Sequence, residues 1–140
     1  MKTVLFVCVG NSGRSQMAEA FFNHRAGGKV QAFSAGTSPA SSVDPAVVEL
    51  MKEVGIDISR NETKSAFDFY KQGKQYDYVV TVCDESQSGA CPVFPGKGAR
   101  LHWGFADPSG FTGSKEDKLA KTRDVRNQIE ARIKDWISSV

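Results

Sequence analysis

Five residues separate Cys8 from Arg14 in the run Val4-Leu5-Phe6-Val7-Cys8-Val9-Gly10-Asn11-Ser12-Gly13-Arg14-Ser15. A thiol, a guanidinium and a stretch of small residues are thereby gathered around one point. Gly10, Ser12 and Gly13 leave room for backbone N–H groups to converge. The helical pattern that begins at Arg14 adds the unpaired donors and positive dipole end of a helix start. Such a nest, built from Val9, Gly10, Asn11, Ser12, Gly13 and Arg14, binds a tetrahedral oxyanion, and the Arg14 fork clamps two of its oxygens. Cys8 would sit beneath the anion as a thiolate held by the same donors, nucleophilic at neutral pH. Ser15 can donate one more hydrogen bond to the sulfur. The plainer reading is a buried strand-end cysteine beside an incidental arginine. It leaves unexplained why small residues and a helix start arrive together.

The other two thiols, Cys83 and Cys91, bracket the polar loop Asp84-Glu85-Ser86-Gln87-Ser88-Gly89-Ala90. Zinc is a poor fit, because the cysteines are eight apart and neither His24 nor His102 has ligand spacing. A redox pair has a geometric requirement. Eight extended residues reach ~27 Å, and a disulfide needs Cα atoms within about 7 Å, so the segment must fold back. Its Ser and Gly residues allow that at modest closure cost. Asp84 and Glu85 oppose ionisation of Cys83, whereas the nest favours it in Cys8. In thiol exchange the lower-pKa thiol leaves faster. A Cys8–Cys83 disulfide would therefore be opened by Cys91 attacking Cys83 and expelling Cys8. Two unrelated buried thiols are the alternative.

The elements that must position these groups alternate. Strands are expected at about Thr3–Val7, Val30–Ala35, Tyr78–Val82 and Ala99–Trp103. Helices are expected at Arg14–Ala26, stopped by Gly27-Gly28; from the Asp44-Pro45 cap to Gly55; at Ser65–Lys71; and at about Lys115–Ile137. Met17, Ala18, Phe21 and Phe22, then Val47, Val48, Met51 and Val54, then Leu119, Val125, Ile129, Ile133 and Trp136 form stripes that read as core. The alternation implies an α/β fold, a small doubly wound four-stranded parallel sheet of order 2-1-3-4 with helices on both faces. Its carboxyl edge brings Cys8, Cys83 and Asp107 towards one rim. Asp107-Pro108 also reads as a plain turn start, and His102 and Trp103 as strand-end packing and rim residues.

At 140 residues with net charge +2, the chain reads as one domain, residues 1–140, with scattered basic residues and no nucleic-acid surface. No apolar run approaches a membrane span, and Met1-Lys2-Thr3 leads into too short an apolar run for a signal peptide. A cytoplasmic monomer is the expectation. Three cysteines there point to metal or redox chemistry rather than a disulfide framework.

Four segments resemble thioredoxin-coupled arsenate reductases, which share the fold of low-molecular-weight protein tyrosine phosphatases. They are Cys8–Glu19 (with Ser-Gln-Met-Ala-Glu at Ser15–Glu19), Ser34-Ala35-Gly36, Glu53–Ser59, and His102-Trp103-Gly104-Phe105 before Asp107-Pro108. The resemblance implies that Cys8 attacks arsenate and that Asp107 helps an oxygen leave as water. Cys83 then attacks the Cys8–arsenic adduct, releasing arsenite and leaving a Cys8–Cys83 disulfide. Cys91 shifts that bond to Cys83–Cys91, which thioredoxin reduces, so no bound cofactor is implied. Relatives often carry cysteine where Gly13 stands, and the loop between the distal thiols is one residue longer here than in the best-known members. Some relatives bind potassium through residues matching Asn11, Glu19 and Ser34. Their acidic ligand falls near Thr63-Lys64-Ser65, where this chain has no carboxylate, so potassium is not expected.

Two other functions fit the nest. A phosphatase would use Cys8, Arg14 and Asp107 to hydrolyse phosphomonoesters through a Cys8 phospho-enzyme and would have no use for Cys83 or Cys91. Gln16, where such phosphatases usually have proline, points to the reductase. A weak phosphatase side activity is expected in either case. A non-catalytic oxyanion-binding module would bind without turnover.

Overall fold

The computed structural model describes residues 2–83, 94 and 98–140. The chain runs β1 (Lys2–Cys8), α1 (Arg14–Ala26), β2 (Val30–Gly36), α2 (Pro45–Lys52), α3 (Ala66–Lys71), β3 (Tyr78–Thr81), β4 (Ala99–His102) and α4 (Lys115–Trp136), with 3-10 turns at Pro108–Gly110 and Ile137–Ser139. All strand pairs are parallel, in the order β2-β1-β3-β4, as the alternation of elements predicts.

β1 occupies the centre because Val4-Leu5-Phe6-Val7 is apolar on both faces, and each of these residues is at most 1% exposed. Val4, Phe6 and Cys8 face the layer made by Met17, Phe21 and Phe22 of α1, Val47 and Met51 of α2, and Val125, Ile129 and Ile133 of α4. Leu5 and Val7 face Ala35, Ala66, Tyr76 and Val79. β1 and β2 each run one residue past their apolar pattern because Cys8 pairs with Gly36. β3 and β4 end one residue short of it, at Thr81 and His102.

The helix ends follow the local chemistry. The Asp44 carboxylate accepts the Ala46 N–H at 2.9 Å ahead of Pro45, Gly27 ends α1 at φ 63°, and Ser114 and Asp117 form a reciprocal capping box on α4. One member of the α4 stripe departs from expectation. Leu119 is half-buried and lies outside the core, while polar Thr122 and Arg126 are buried. Arg126 earns its place by donating to Leu50 O (2.9 Å) and to Glu53 Oε1 (2.7 Å). Arg123 grips the same carboxylate through two nitrogens at 2.9 and 2.7 Å. The hydrogen bonds from Arg123, then those from Arg126, hold Glu53 at about 2, and the cluster ties the end of α2 to α4.

Candidate active site

The loop that follows β1 is shaped from outside. Carbonyls of Cys8, Val9, Gly10 and Ser12 accept the N–H groups of Thr37, Ser38, Ala40 and Asp44 at 2.8–3.0 Å. Those carbonyls are thus turned towards the β2–α2 connection, which leaves the loop's own N–H groups for the interior. The N-terminus of α1 has no side-chain cap, so its first donors also remain for a ligand. They border a cavity of about 250 Å³ lined by Cys8, Val9, Gly10, Ser12, Gly13 and Arg14 together with Ala40, Asp44, Val47, Asp107 and Pro108.

Cys8 lies on the floor, 3% exposed. Its sulfur is approached by the Asn11 N–H at 3.1 Å and by Ser15 Oγ at 2.8 Å. The direction of the second contact follows from its neighbours. Asn11 Oδ1 accepts the Lys64 backbone N–H at 2.9 Å, so its Nδ2 must be the group that donates to Ser15 Oγ at 2.7 Å. With its oxygen accepting from Asn11, the Ser15 hydroxyl has its proton available for sulfur. Two donors aimed at one sulfur are an arrangement suited to a thiolate.

Arg14 is also 3% exposed and is held by Phe105 O at 3.1 Å and the Asp107 carboxylate at 3.4 Å. The guanidinium plane is fixed over the cavity before any anion arrives. Asp107, 30% exposed, lines the cavity beside Arg14, where a carboxyl can exchange protons with a bound oxyanion. Cys83 is buried in the same apolar cluster as Cys8 but does not line the cavity. Cys91 lies outside the described residues.

Several placements were not expected. Asn11 stands behind the loop rather than facing the cavity, with φ 52° and its side chain wholly buried. Of the two roles expected for His102 and Trp103, strand-end packing is the one seen, and neither lines the cavity. Trp103 packs against Phe6 and Trp136 (5.9 and 5.0 Å between ring centres), and exposed His102 meets Thr81 Oγ1 at 2.6 Å. Ala40, Asp44 and Val47 carried no signal in the sequence that would place them at the site.

Glu19, Ser34 and Lys64 cluster behind Asn11. Burial pushes the Glu19 carboxyl above its ordinary value, while the Lys64 charge and hydrogen bonding from Ser34 oppose the rise. Ser34 Oγ is fully buried and meets no partner in good hydrogen-bond geometry, so its contact with Glu19 is a loose one. Among the described residues, no three His, Cys, Asp or Glu side chains come together as a metal-binding group.

The sequence pattern of the low molecular weight phosphotyrosine protein phosphatase family matches residues 3–140. This chain belongs to that family. Within it, the chain is 42% identical to an arsenate reductase of Halalkalibacterium halodurans over 135 residues, 96% of this chain and 94% of that protein. A thioredoxin-dependent arsenate reductase of Corynebacterium glutamicum superimposes with TM-score 0.76 at 34% identity, over 99% of this chain and 61% of the other. A low molecular weight protein tyrosine phosphatase of T. tengcongensis gives TM-score 0.78 at 26% identity, with all of both chains covered.

Proposed function

We propose that this protein is an arsenate reductase working through a three-thiol relay that thioredoxin recharges. The observation that carries the reading is the floor of the cavity. A buried sulfur with two donors upon it faces an anion nest, with Arg14 and Asp107 on the walls. The greater identity to an arsenate reductase than to a phosphatase of the same fold supports the substrate.

Cys8 attacks arsenic, and an oxygen leaves as water with a proton from Asp107. Cys83 then attacks the Cys8 sulfur. The S–As bond breaks, its electron pair reduces As(V) to As(III), and arsenite departs. Cys91 attacks Cys83, a Cys83–Cys91 disulfide forms, and Cys8 leaves as thiolate. A dithiol of thioredoxin reduces that disulfide, so two electrons pass per turnover without a bound cofactor.

Potassium does not fit the cluster behind Asn11. Asn11 Oδ1 already accepts from Lys64 N and Gln16 Nε2, and the Lys64 ammonium supplies positive charge to Glu19. Turnover and melting temperature are accordingly expected to be equal in potassium, sodium and choline chloride. We place the protein in the cytoplasm as a monomer. No helix among the described residues is long and apolar enough to cross a membrane.

The deciding experiment follows arsenate-dependent NADPH oxidation with thioredoxin and thioredoxin reductase in wild type, Cys8→Ser, Cys83→Ser and Cys91→Ser. Turnover in the wild type and its loss in each variant is expected. Aryl phosphate hydrolysis that ignores Cys83 and Cys91, with no arsenate turnover, would make the protein a phosphatase instead.

A further inference from the structure

We infer that Gln16 is a positioning residue for the nucleophile, its buried amide holding Asn11 in the turn that presents donors to Cys8. Gln16 sits in the first turn of α1, yet its side chain is wholly buried and points at the back of the loop rather than into apolar core. A buried amide is costly unless its donors and acceptor are used. Here Nε2 lies within donating distance of Asn11 O (3.1 Å), Asn11 Oδ1 (3.2 Å) and Glu62 O (3.0 Å), so one of its two N–H groups is shared between two of these oxygens, while Oε1 accepts from Asn61 Nδ2 (3.1 Å). One side chain thus grips both the backbone and the side chain of Asn11.

Asn11 needs the grip. Its φ of 52° is in the left-handed region, which asparagine tolerates better than most residues but holds at some cost beside glycine. That conformation directs its N–H to Cys8 Sγ and its Nδ2 to Ser15 Oγ. Apart from Gln16, the other hold on Asn11 Oδ1 is the Lys64 N–H. Without Gln16 the turn can relax, and both donors to sulfur drift together. Arg14 is held from elsewhere, by Phe105 O and the Asp107 carboxylate, and the Asp44 carboxylate accepts from Ala46 N. Gln16 does not line the cavity, so it acts through Asn11 and not on the anion.

The inference rests on Cys8 being the nucleophile, whatever it attacks. Its test is therefore alkylation of Cys8 by iodoacetamide in the reduced full chain, followed across pH by the mass of the Cys8 peptide, alongside kcat and KM for arsenate. Gln16→Met keeps the side-chain length and removes the amide. Gln16→Glu keeps the acceptor for Asn61 but sets an oxygen against the two oxygens of Asn11. Both are expected to move the alkylation profile to higher pH, with the rate at pH 7 falling about tenfold, as loss of well-placed donors implies. kcat should fall by a similar factor with KM within about twofold of wild type. Asn61→Ala, at an exposed position, folds in any case and is expected to shift the profile less, in the same direction. A folded Gln16 variant with wild-type alkylation and kcat, even if it melts lower, would show that the amide serves only the fold. An unshifted profile in Asn61→Ala overturns the inference if neither Gln16 variant folds, and a rise in KM alone overturns it by placing the effect on the anion. If the wild type fails to turn over arsenate, the proposed function fails while the alkylation profile still decides the role of Gln16.

Discussion

Substituting Gly36 by alanine should damage the nucleophile's loop although residue 36 touches no substrate. Gly36 is the β2 partner of Cys8. A Cβ there would lie 2.9 Å from Asn11 N and 3.0 Å from Gly10 C, and closer still to Val9 O. Ordinary contact begins near 3.4 Å, so the loop must retreat by about half an ångström at Asn11 and further at Val9. It has nowhere easy to go. Val9 O is held by Ser38 N at 2.8 Å, and Asn11 N is the donor to Cys8 Sγ. Forced repacking of this kind costs about 1–3 kcal/mol, a fall in Tm of roughly 3–12 °C for a chain of this length. Misplacing the sulfur and its donors by such a distance should lower kcat/KM by about 10–100-fold. The assays are calorimetric melting and the thioredoxin-coupled arsenate assay. Gly110→Ala serves as control because a Cβ there meets nothing within 4 Å. If Gly36→Ala keeps kcat/KM within about twofold and melts like the control, the reasoning from close approach is wrong.

Arg14→Lys should raise KM for arsenate and lower kcat together, about 100-fold in kcat/KM, since an ammonium cannot hold Phe105 O, Asp107 and two anion oxygens at once; near-normal kinetics would show that charge alone suffices. The Glu53 carboxyl, held at about 2 against an unfolded value of 4.5, contributes stability that is complete above pH 4.5 and lost as pH falls through about 2. The gap in urea midpoint between wild type and Glu53→Gln should therefore narrow across that window, and a gap that ignores pH would count against the clamp. Glu19 runs the other way. Burial raises its pKa, so the folded state binds the proton more tightly and stability falls as pH rises above 4.5. Glu19→Gln should melt higher than wild type at pH 7 and lose that advantage below pH 4.5, whereas a lower melting point at pH 7 would mean that Lys64 outweighs burial.

The fold and the chemical centre were legible in the sequence because both depend on local order. The apolar runs and helical stripes are periodic along the chain, and with the alternation of elements they fix a parallel sheet whose carboxyl edge carries Cys8. The interval from Cys8 to Arg14, with small residues between and a helix start after, is itself the anion nest. The Ser34-Ala35-Gly36 segment was visible as a likeness, but its physical reason was not: only strand pairing brings Gly36 against the loop. Tertiary structure alone decided which way the loop's carbonyls turn, because their donors come from residues 37–44. It also decided that Asn11 stands behind the sulfur rather than before the anion, held by Gln16 and Lys64. The partners of Trp103 (Phe6 and Trp136) and of His102 (Thr81) were likewise set by tertiary packing, on a strand order that the sequence already implied. The contacts on the sulfur are themselves short-range, but the loop that makes them is held by hydrogen bonds from residues 37–44, Glu62 and Lys64, and bonds between residues so far apart in sequence leave no periodic trace.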